Sequence, residues 1–155
     1  MDIFSDLVMG LSIAITPINM LYLLAGAMVG MIVGVIPGFG PSAGLVILLP
    51  LTFGMDPVGA IMMLAAIYYG SMYGGTITSI LLNTPGESAT VASTFDGYPL
   101  AKNGRAGPAL VMQAVASFVG GTVGVILITI LAPMFSQVSR SFGPPEYFLL
   151  AMMGM

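Results

Sequence analysis

The sequence contains no cysteine, no histidine and no tryptophan. Without the first two, the chain has no thiol nucleophile, no disulfide and no imidazole base, and it lacks the usual ligand sets for zinc, copper or haem. Any metal ligands must therefore be carboxylates or neutral oxygens. Without tryptophan, an aromatic belt at a membrane surface would have to come from tyrosine and phenylalanine.

Charge is also scarce. Only 6% of the 155 residues are charged, whereas 57% are hydrophobic and the mean hydropathy is +1.05, which is far from the composition of a soluble domain. No ionisable side chain of Asp, Glu, Lys or Arg occurs in residues 7–55, 57–86 or 106–139. Each of these gaps can hold at least one bilayer crossing of about 20 residues. The composition predicts an integral membrane protein of the all-α class, with several crossings.

Small residues recur at four-residue spacing in three places. The three stripes are Gly26/Gly30/Gly34, Ala66/Gly70/Gly74 and Ala116/Gly120/Gly124. On a helix this spacing places small residues on one narrow face, against which another helix can press its backbone. We expect these stripes to be packing surfaces, with the second facing either the first or a different partner.

The first stripe runs directly into a break at residues 37–41, which read P-G-F-G-P. Proline ends a helix, while Gly38 and Gly40 permit backbone dihedrals that other residues resist. Pro41 suits the first turn of a new helix, because its missing N–H would have no intrahelical partner there. Lipid cannot satisfy the freed N–H and C=O groups, so such a break is tolerated only inside protein or beside a watery cavity.

A second break, Pro85-Gly86-Glu87, lies within a segment, residues 76–94, that is crowded with Ser, Thr and Asn. This density of polar groups is costly in lipid unless the groups face protein or water. We therefore expect the segment to face inward, as part of a bundle with broken or re-entrant helices.

The remaining layout follows from apolar length and turn signals. We expect one transmembrane domain over residues 1–155, in which Asp56 caps a helix and Asp96 lies at a cap or turn. Its parts are an interfacial helix (1–16), crossings (18–36, 57–82 and 109–135), a half or kinked helix (42–55), the second break and polar segment (83–96), a basic loop (97–108) and the start of a further crossing (146–155). Whether residues 42–55 re-enter or cross is left open, and the short apolar end suggests the N-terminal fragment of a larger bundle.

Five motifs in order resemble one known family. They are G-x-x-x-G-x-x-P-G-F-G-P (30–41), Y-G-S-M-Y-G-G (69–75), N-T-P-G-E (83–87), D-G-Y-P (96–99) and G-R-A-G-P (104–108). Together they resemble the large membrane subunit of the tripartite tricarboxylate transporters, the TctA type, over its N-terminal third. The resemblance implies a secondary transporter of bacterial inner membranes rather than an enzyme. It would take up tricarboxylates or related carboxylates that a periplasmic binding protein delivers. A small membrane subunit would assist, a sodium or proton gradient would drive uptake, and no other cofactor is expected.

For the substrate, the candidates are the residues of the two breaks. They are Pro37, Gly38, Gly40, Pro41, Ser42, Asn83, Thr84, Pro85 and Gly86. Amides at the start of a broken helix can face an anionic group, as they do in other transporters. The alternative for the first break is a tight interhelical turn at the membrane surface.

For the coupling ion, the candidates are Glu87, Thr78 and Ser88, because sodium prefers oxygen ligands from side chains and unwound backbone. Alternatively, the hydroxyls bond back to their own helix, and Glu87 is a helix cap or an ordinary loop carboxylate. Two other functions also stay open: a non-transporting assembly module whose glycine faces dock another subunit, and an intramembrane enzyme with Glu87 and Asp96 as acid and base.

Overall fold

The computed structural model describes residues 3–140 and 142–153, and within these ranges the chain is helical with no strand. The helices are α1 (Ile3–Ala14), α2 (Pro17–Gly34), α3 (Gly40–Leu48), α4 (Pro57–Leu82), α5 (Ala92–Leu100), α6 (Ala106–Arg140) and α7 (Pro144–Met153). Short 3-10 helices follow α3 (Leu49–Thr52) and precede α5 (Ser88–Val91). Three helical stretches are long and apolar enough to cross a membrane: Pro17–Gly34, Pro57–Leu82 and Ser88–Ser136. The prediction of an all-α membrane protein is confirmed.

The chain forms two compact units, Met1–Gln113 and Ala114–Met155. The first unit holds both Pro-Gly breaks and is built on α2 and α4. In the second, the end of α6 is joined to α7 by a 2.8 Å hydrogen bond between the Ser139 and Tyr147 hydroxyls. The third small-residue stripe lies on α6, and a Cβ added at Gly120 or Gly124 would meet no described atom within 4 Å.

Helices α2 and α4 pack through their glycines. A Cβ at Gly26 would lie 2.6 Å from the Met63 carbonyl oxygen, and one at Gly30 would lie 2.8 Å from Cα of Ile67. One turn later, a Cβ at Gly34 would overlap the backbone of Ser71. Residue numbers rise together along the contact, so the two helices are parallel.

The contact is reciprocal. The glycines of α4 press on α2 in the same way, Gly70 against the backbone of Ala27 and Gly74 against that of Met31. The first stripe therefore packs as predicted, and of the two alternatives for the second stripe, the structure shows that it faces the first. Backbone contact of this kind is how helices associate where the surrounding lipid is as apolar as their side chains.

Because α2 and α4 are parallel, the residues between them must carry the chain back along α2. Gly59, near the start of α4, faces Tyr22 and Asn19 near the start of α2. The α-helical and 3-10 stretches of Gly40–Thr52 together rise roughly 21 Å, since a 3-10 turn is more extended than an α-helical one. The helix type changes at Leu49, directly before Pro50, and the segment returns to the N-terminal end of α2.

Turn chemistry explains how α4 begins. The Asp56 carboxylate accepts hydrogen bonds from the backbone N–H groups of Val58 (3.1 Å) and Gly59 (3.4 Å), while Pro57 occupies the first turn. These bonds satisfy amides that have no partner inside the helix. The predicted cap at Asp56 is confirmed.

The stretch predicted as a basic loop is mostly helical. Residues 97–100 belong to α5, and α6 begins at Ala106, with a kink at Asn103 and Gly104, whose φ is +77°. A Cβ at Gly97 would lie 2.7 Å from Cγ1 of Ile80, so the glycine lets α5 press against α4. This packing overrides the local turn signals. Asp96 lies inside α5 and is exposed, and its prediction as a cap or turn residue is wrong.

The glycine contact yields a test by substitution with alanine. Gly30→Ala should destabilise the complete protein in detergent by about 1–3 kcal/mol, the usual cost of overpacking, because the new methyl meets backbone that cannot move aside. Gly10→Ala is the matched control: a Cβ there meets nothing within 4 Å, and alanine favours a helix by up to ~1 kcal/mol over glycine. Thermal unfolding would show the two effects with opposite signs. Equal effects would contradict the packing.

Candidate functional site

The two Pro-Gly breaks are directly joined. Helices α2 and α4 are parallel, so both end at the same end of the pair. The backbone N–H of Gly38, in the first break, donates a 3.1 Å hydrogen bond to the carbonyl oxygen of Gly86, in the second. Two segments that are almost fifty residues apart in the sequence thus form one irregular region, with backbone pairing between them.

At the first break, the backbone conformation requires glycine. Gly38 has a φ of +77° and Gly40 a φ of +57°, in the left-handed region that disfavours other residues, as predicted. A Cβ at either position would meet no atom within 4 Å, so there is open space beside this backbone. Pro37 and Gly38 are exposed.

Helix α3 starts in this region without a side-chain cap. Phe39 is at the N-cap position, where it supplies no hydrogen bond, and the first turn contains no acidic residue. Pro41 lies buried in the first turn, and Ser42 beside it is exposed. The N-terminal amides of α3 and the positive end of its dipole are thus not neutralised by a carboxylate, which is what binding of an anion requires.

The second break folds back against the helix pair. Asn83 ends α4 with left-handed dihedrals (φ 57°, ψ 28°), and Thr84 donates its N–H to the Thr78 carbonyl at 3.3 Å. The buried Gly86 then lies against Gly75, where an added Cβ would be 2.7 Å from Cα. Since Gly75 is two turns before the end of α4, the break sits about 10 Å back along that helix.

The same added Cβ at Gly86 would lie 3.0 Å from the carbonyl oxygen of Gly34. Gly34, Gly75 and Gly86 therefore meet in one backbone contact, which we call the three-glycine contact. Any side chain at these positions would separate the second break from α2 and α4.

Most hydroxyls of α4 near this contact bond back to their own helix. Thr78 and Ser79 both donate to the Gly75 carbonyl, at 3.0 and 2.8 Å, and Thr76 donates to Met72 at 3.0 Å. For Thr76, Thr78 and Ser79, the alternative that the hydroxyls bond back to their own helix is confirmed. Thr84 donates to Leu82 at 3.2 Å and is exposed, as is Ser88.

Glu87 caps the short helix before α5. Its N–H donates to the Thr90 hydroxyl at 3.3 Å, and its carboxylate accepts the Thr90 N–H in return, so the interpretation of Glu87 as a cap is confirmed. This capping box uses only part of the side chain, because Oε1 is buried and has no hydrogen-bond partner. Glu87 lies between two candidate spans, and burial raises the pKa of its carboxyl above the ordinary value.

Sequence analysis missed Ser71. The residue is only 2% exposed, and its hydroxyl, unlike those of Thr76, Thr78 and Ser79, has no hydrogen-bond partner. Ser71 lies one turn before Gly75 on α4, and its backbone contacts Gly34. The available signal was the motif Y-G-S-M-Y-G-G, in which Ser71 is the one hydroxyl other than tyrosine.

Comparison with known proteins identifies a family for this sequence. Residues 20–155 match the family described as "Tripartite tricarboxylate transporter TctA family". A protein from Agrobacterium vitis, named "Uncharacterized 52.8 kDa protein in TAR-I ttuC' 3'region", is 46% identical over all 155 residues. The chain spans 31% of the length of that relative. No solved structure matches. Because the match covers most of the sequence, the chain belongs to the tripartite tricarboxylate transporter TctA family.

Proposed function

We propose that this chain is part of the large membrane subunit of a tripartite secondary transporter of the bacterial inner membrane. The transporter imports a tricarboxylate or related carboxylate that a periplasmic binding protein delivers. A sodium or proton gradient drives the import. A small membrane subunit completes the system. Family membership supports the transporter class, and the hydrogen bond from Gly38 to Gly86 is the observation that carries the mechanism.

In this mechanism the first break binds the carboxylate. The uncapped amides of α3 and the exposed Ser42 hydroxyl offer hydrogen-bond donors to an anion, and the space beside Gly38 and Gly40 lets it approach the backbone. Asn83, Thr84, Pro85 and Gly86 form the other side of the same region. These few donors are enough, because a small anion is oriented by a small number of convergent polar groups.

In the same mechanism the coupling cation binds at the second break, which supplies the acceptor of the Gly38–Gly86 hydrogen bond. Glu87 supplies the negative charge, with Thr78 and Ser88 contributing neutral oxygens close to it in sequence. A cation bound beside the anion site lowers the cost of bringing a carboxylate into a partly buried region. Movement of either break is transmitted to the other through Gly38 and Gly86, which links the two ligands.

The two other functions receive less support. The glycine faces of α2 and α4 are used against each other, so of the three stripes only the one on α6 is left to dock another subunit. For an enzyme, Glu87 and Asp96 would have to share one site. Asp96 comes nine positions after Glu87 along a mostly helical chain, so their backbones are roughly 15 Å apart along the axis, which disfavours two carboxyl groups that act on one bond.

Gly38→Val tests the first break. The positive φ costs a branched residue about 1–3 kcal/mol, and the new side chain fills the space where the anion binds, so uptake of labelled carboxylate should be abolished while the protein still inserts. The assay uses proteoliposomes of the complete transporter with its binding protein. Gly54→Val is the control, because Gly54 has a φ of +85° and equally open surroundings, but lies in the turn before α4. Unchanged uptake in Gly38→Val would dispose of the anion site.

Glu87→Gln tests the coupling role. The amide retains the size and the cap acceptor of the side chain but not its charge, so uptake should fall and its dependence on sodium or pH should change. Asp96→Asn, an exposed carboxylate on the following helix, should leave both properties as in wild type. If Glu87→Gln lowered only the amount of folded protein, with the same ion dependence per molecule, Glu87 would be a structural cap alone.

A further inference from the structure

Two buried side-chain oxygens of the described residues have no hydrogen-bond partner: the Ser71 hydroxyl and Oε1 of Glu87. Buried polar atoms in native proteins are almost always paired, and an unpaired carboxylate oxygen is especially costly. Each unpaired atom therefore calls for an explanation. Two in the same region suggest a common one.

Both residues flank the three-glycine contact. Ser71 lies against Gly34, and Glu87 directly follows Gly86, which also lies against Gly34. The direction of the helices brings them closer. Thr90 lies beside Gly75, and Gly97 lies beside Ile80, so the chain from Thr90 into α5 runs in the same direction as α4. Glu87 lies one turn before Thr90, and Ser71 lies one turn before Gly75. Because the two segments run in the same direction, Glu87 is displaced from Thr90 toward the level of Ser71.

The carbonyl oxygen of Gly34, also at the three-glycine contact, lacks its usual helical donor. In a continued helix the Gly34 carbonyl would accept the N–H of Gly38, but Gly38 donates to Gly86 instead. The Gly34 carbonyl, at the negative end of α2, is left without that donor. Carbonyls released where a helix is broken are typical ligands of monovalent cations in transporters.

We propose that Ser71 is a ligand of a monovalent cation, together with Glu87 and the Gly34 carbonyl. The proposal rests on the function proposed above and changes its ligand set, because the Ser71 hydroxyl has no partner in the protein, whereas Thr78 bonds to its own helix at Gly75 and Ser88 is exposed. One carboxylate and two neutral oxygens match a single positive charge. The described residues contain no group of three or more acidic side chains, which a divalent ion would favour.

The test measures sodium binding directly, in the complete purified subunit without carboxylate or binding protein. Thermal unfolding is followed while sodium chloride replaces choline chloride at constant ionic strength. Wild type should be stabilised by sodium in a saturable way, and Ser71→Ala should raise the apparent Kd by about tenfold or more, at least the loss seen when a supporting group of a metal site is removed. Glu87→Gln should abolish the response.

Ser79→Ala is the matched control. Ser79 is fully buried on the same helix, but its hydroxyl donates to Gly75, so alanine should destabilise the protein in choline and leave the sodium response intact. Ser71→Ala should show the reverse, because the hydroxyl that it removes has no partner in the protein.

A wild-type sodium affinity in Ser71→Ala would overturn the proposal and leave an ordered water as the partner of the hydroxyl. Absence of any sodium-specific stabilisation in wild type would overturn it as well. These outcomes are distinct from failure of the transport function: sodium binding that requires Ser71 supports the site even if labelled carboxylate is not taken up. Uptake with an unaltered sodium dependence in Ser71→Ala refutes the site while transport stands.

Discussion

Direct contact between the backbones of α2 and α4 is the constraint on which the rest of the structure depends. At the points of closest approach the glycines leave no side chain between the two backbones, so carbonyl groups of one helix lie where a Cβ of the other would be. Such a contact fixes the two helices parallel and in one register. Parallel helices in turn require that Gly40–Thr52 lead the chain back, and they place both Pro-Gly breaks at the same end of the pair.

The breaks then satisfy each other. The N–H of Gly38 has lost its helical acceptor and the carbonyl of Gly86 lies in an irregular segment, yet the two are paired with each other. This pairing answers the problem that broken backbone poses in an apolar environment, where free N–H and C=O groups are costly. Two kinds of backbone group are not used in this pairing: the N-terminal amides of α3, which are donors, and the Gly34 carbonyl, which is an acceptor. The proposed transport mechanism assigns the anion to the amides of α3, and the cation site inferred from Ser71 and Glu87 includes the Gly34 carbonyl.

Much of this could be predicted from local sequence. Four-residue glycine spacing predicted the packing faces of α2 and α4, alternating proline and glycine predicted the positive φ of Gly38 and Gly40, and Asp-Pro predicted the cap at Asp56. These signals act within a few residues, so a single sequence reveals them. The family resemblance was confirmed over residues 20–155.

Tertiary packing determined the rest. Gly97 reads as a turn residue, but it is helical because it lets α5 approach Ile80. Ser71 reads as an ordinary helix serine, and only the approach of α2 shows that its hydroxyl is buried and unpaired. Likewise, the fold-back of Gly86 onto Gly75 depends on contacts between segments that are distant in sequence. The proposed roles of the break residues in binding substrate and ion remain predictions.

The central claim is that the two breaks form one binding region, and substrate protection tests it most directly. Single cysteines are placed at Ser42 and Thr84, one exposed position beside each break, and at the exposed Ser12 of α1. These 155 residues contain no cysteine, and any cysteines elsewhere in the transporter are replaced by serine. Maleimide labelling of the complete reconstituted transporter is timed with and without the carboxylate. The account predicts that substrate slows labelling at both Ser42→Cys and Thr84→Cys and leaves Ser12→Cys unchanged. Protection at neither break, or equal protection at all three positions, would contradict it.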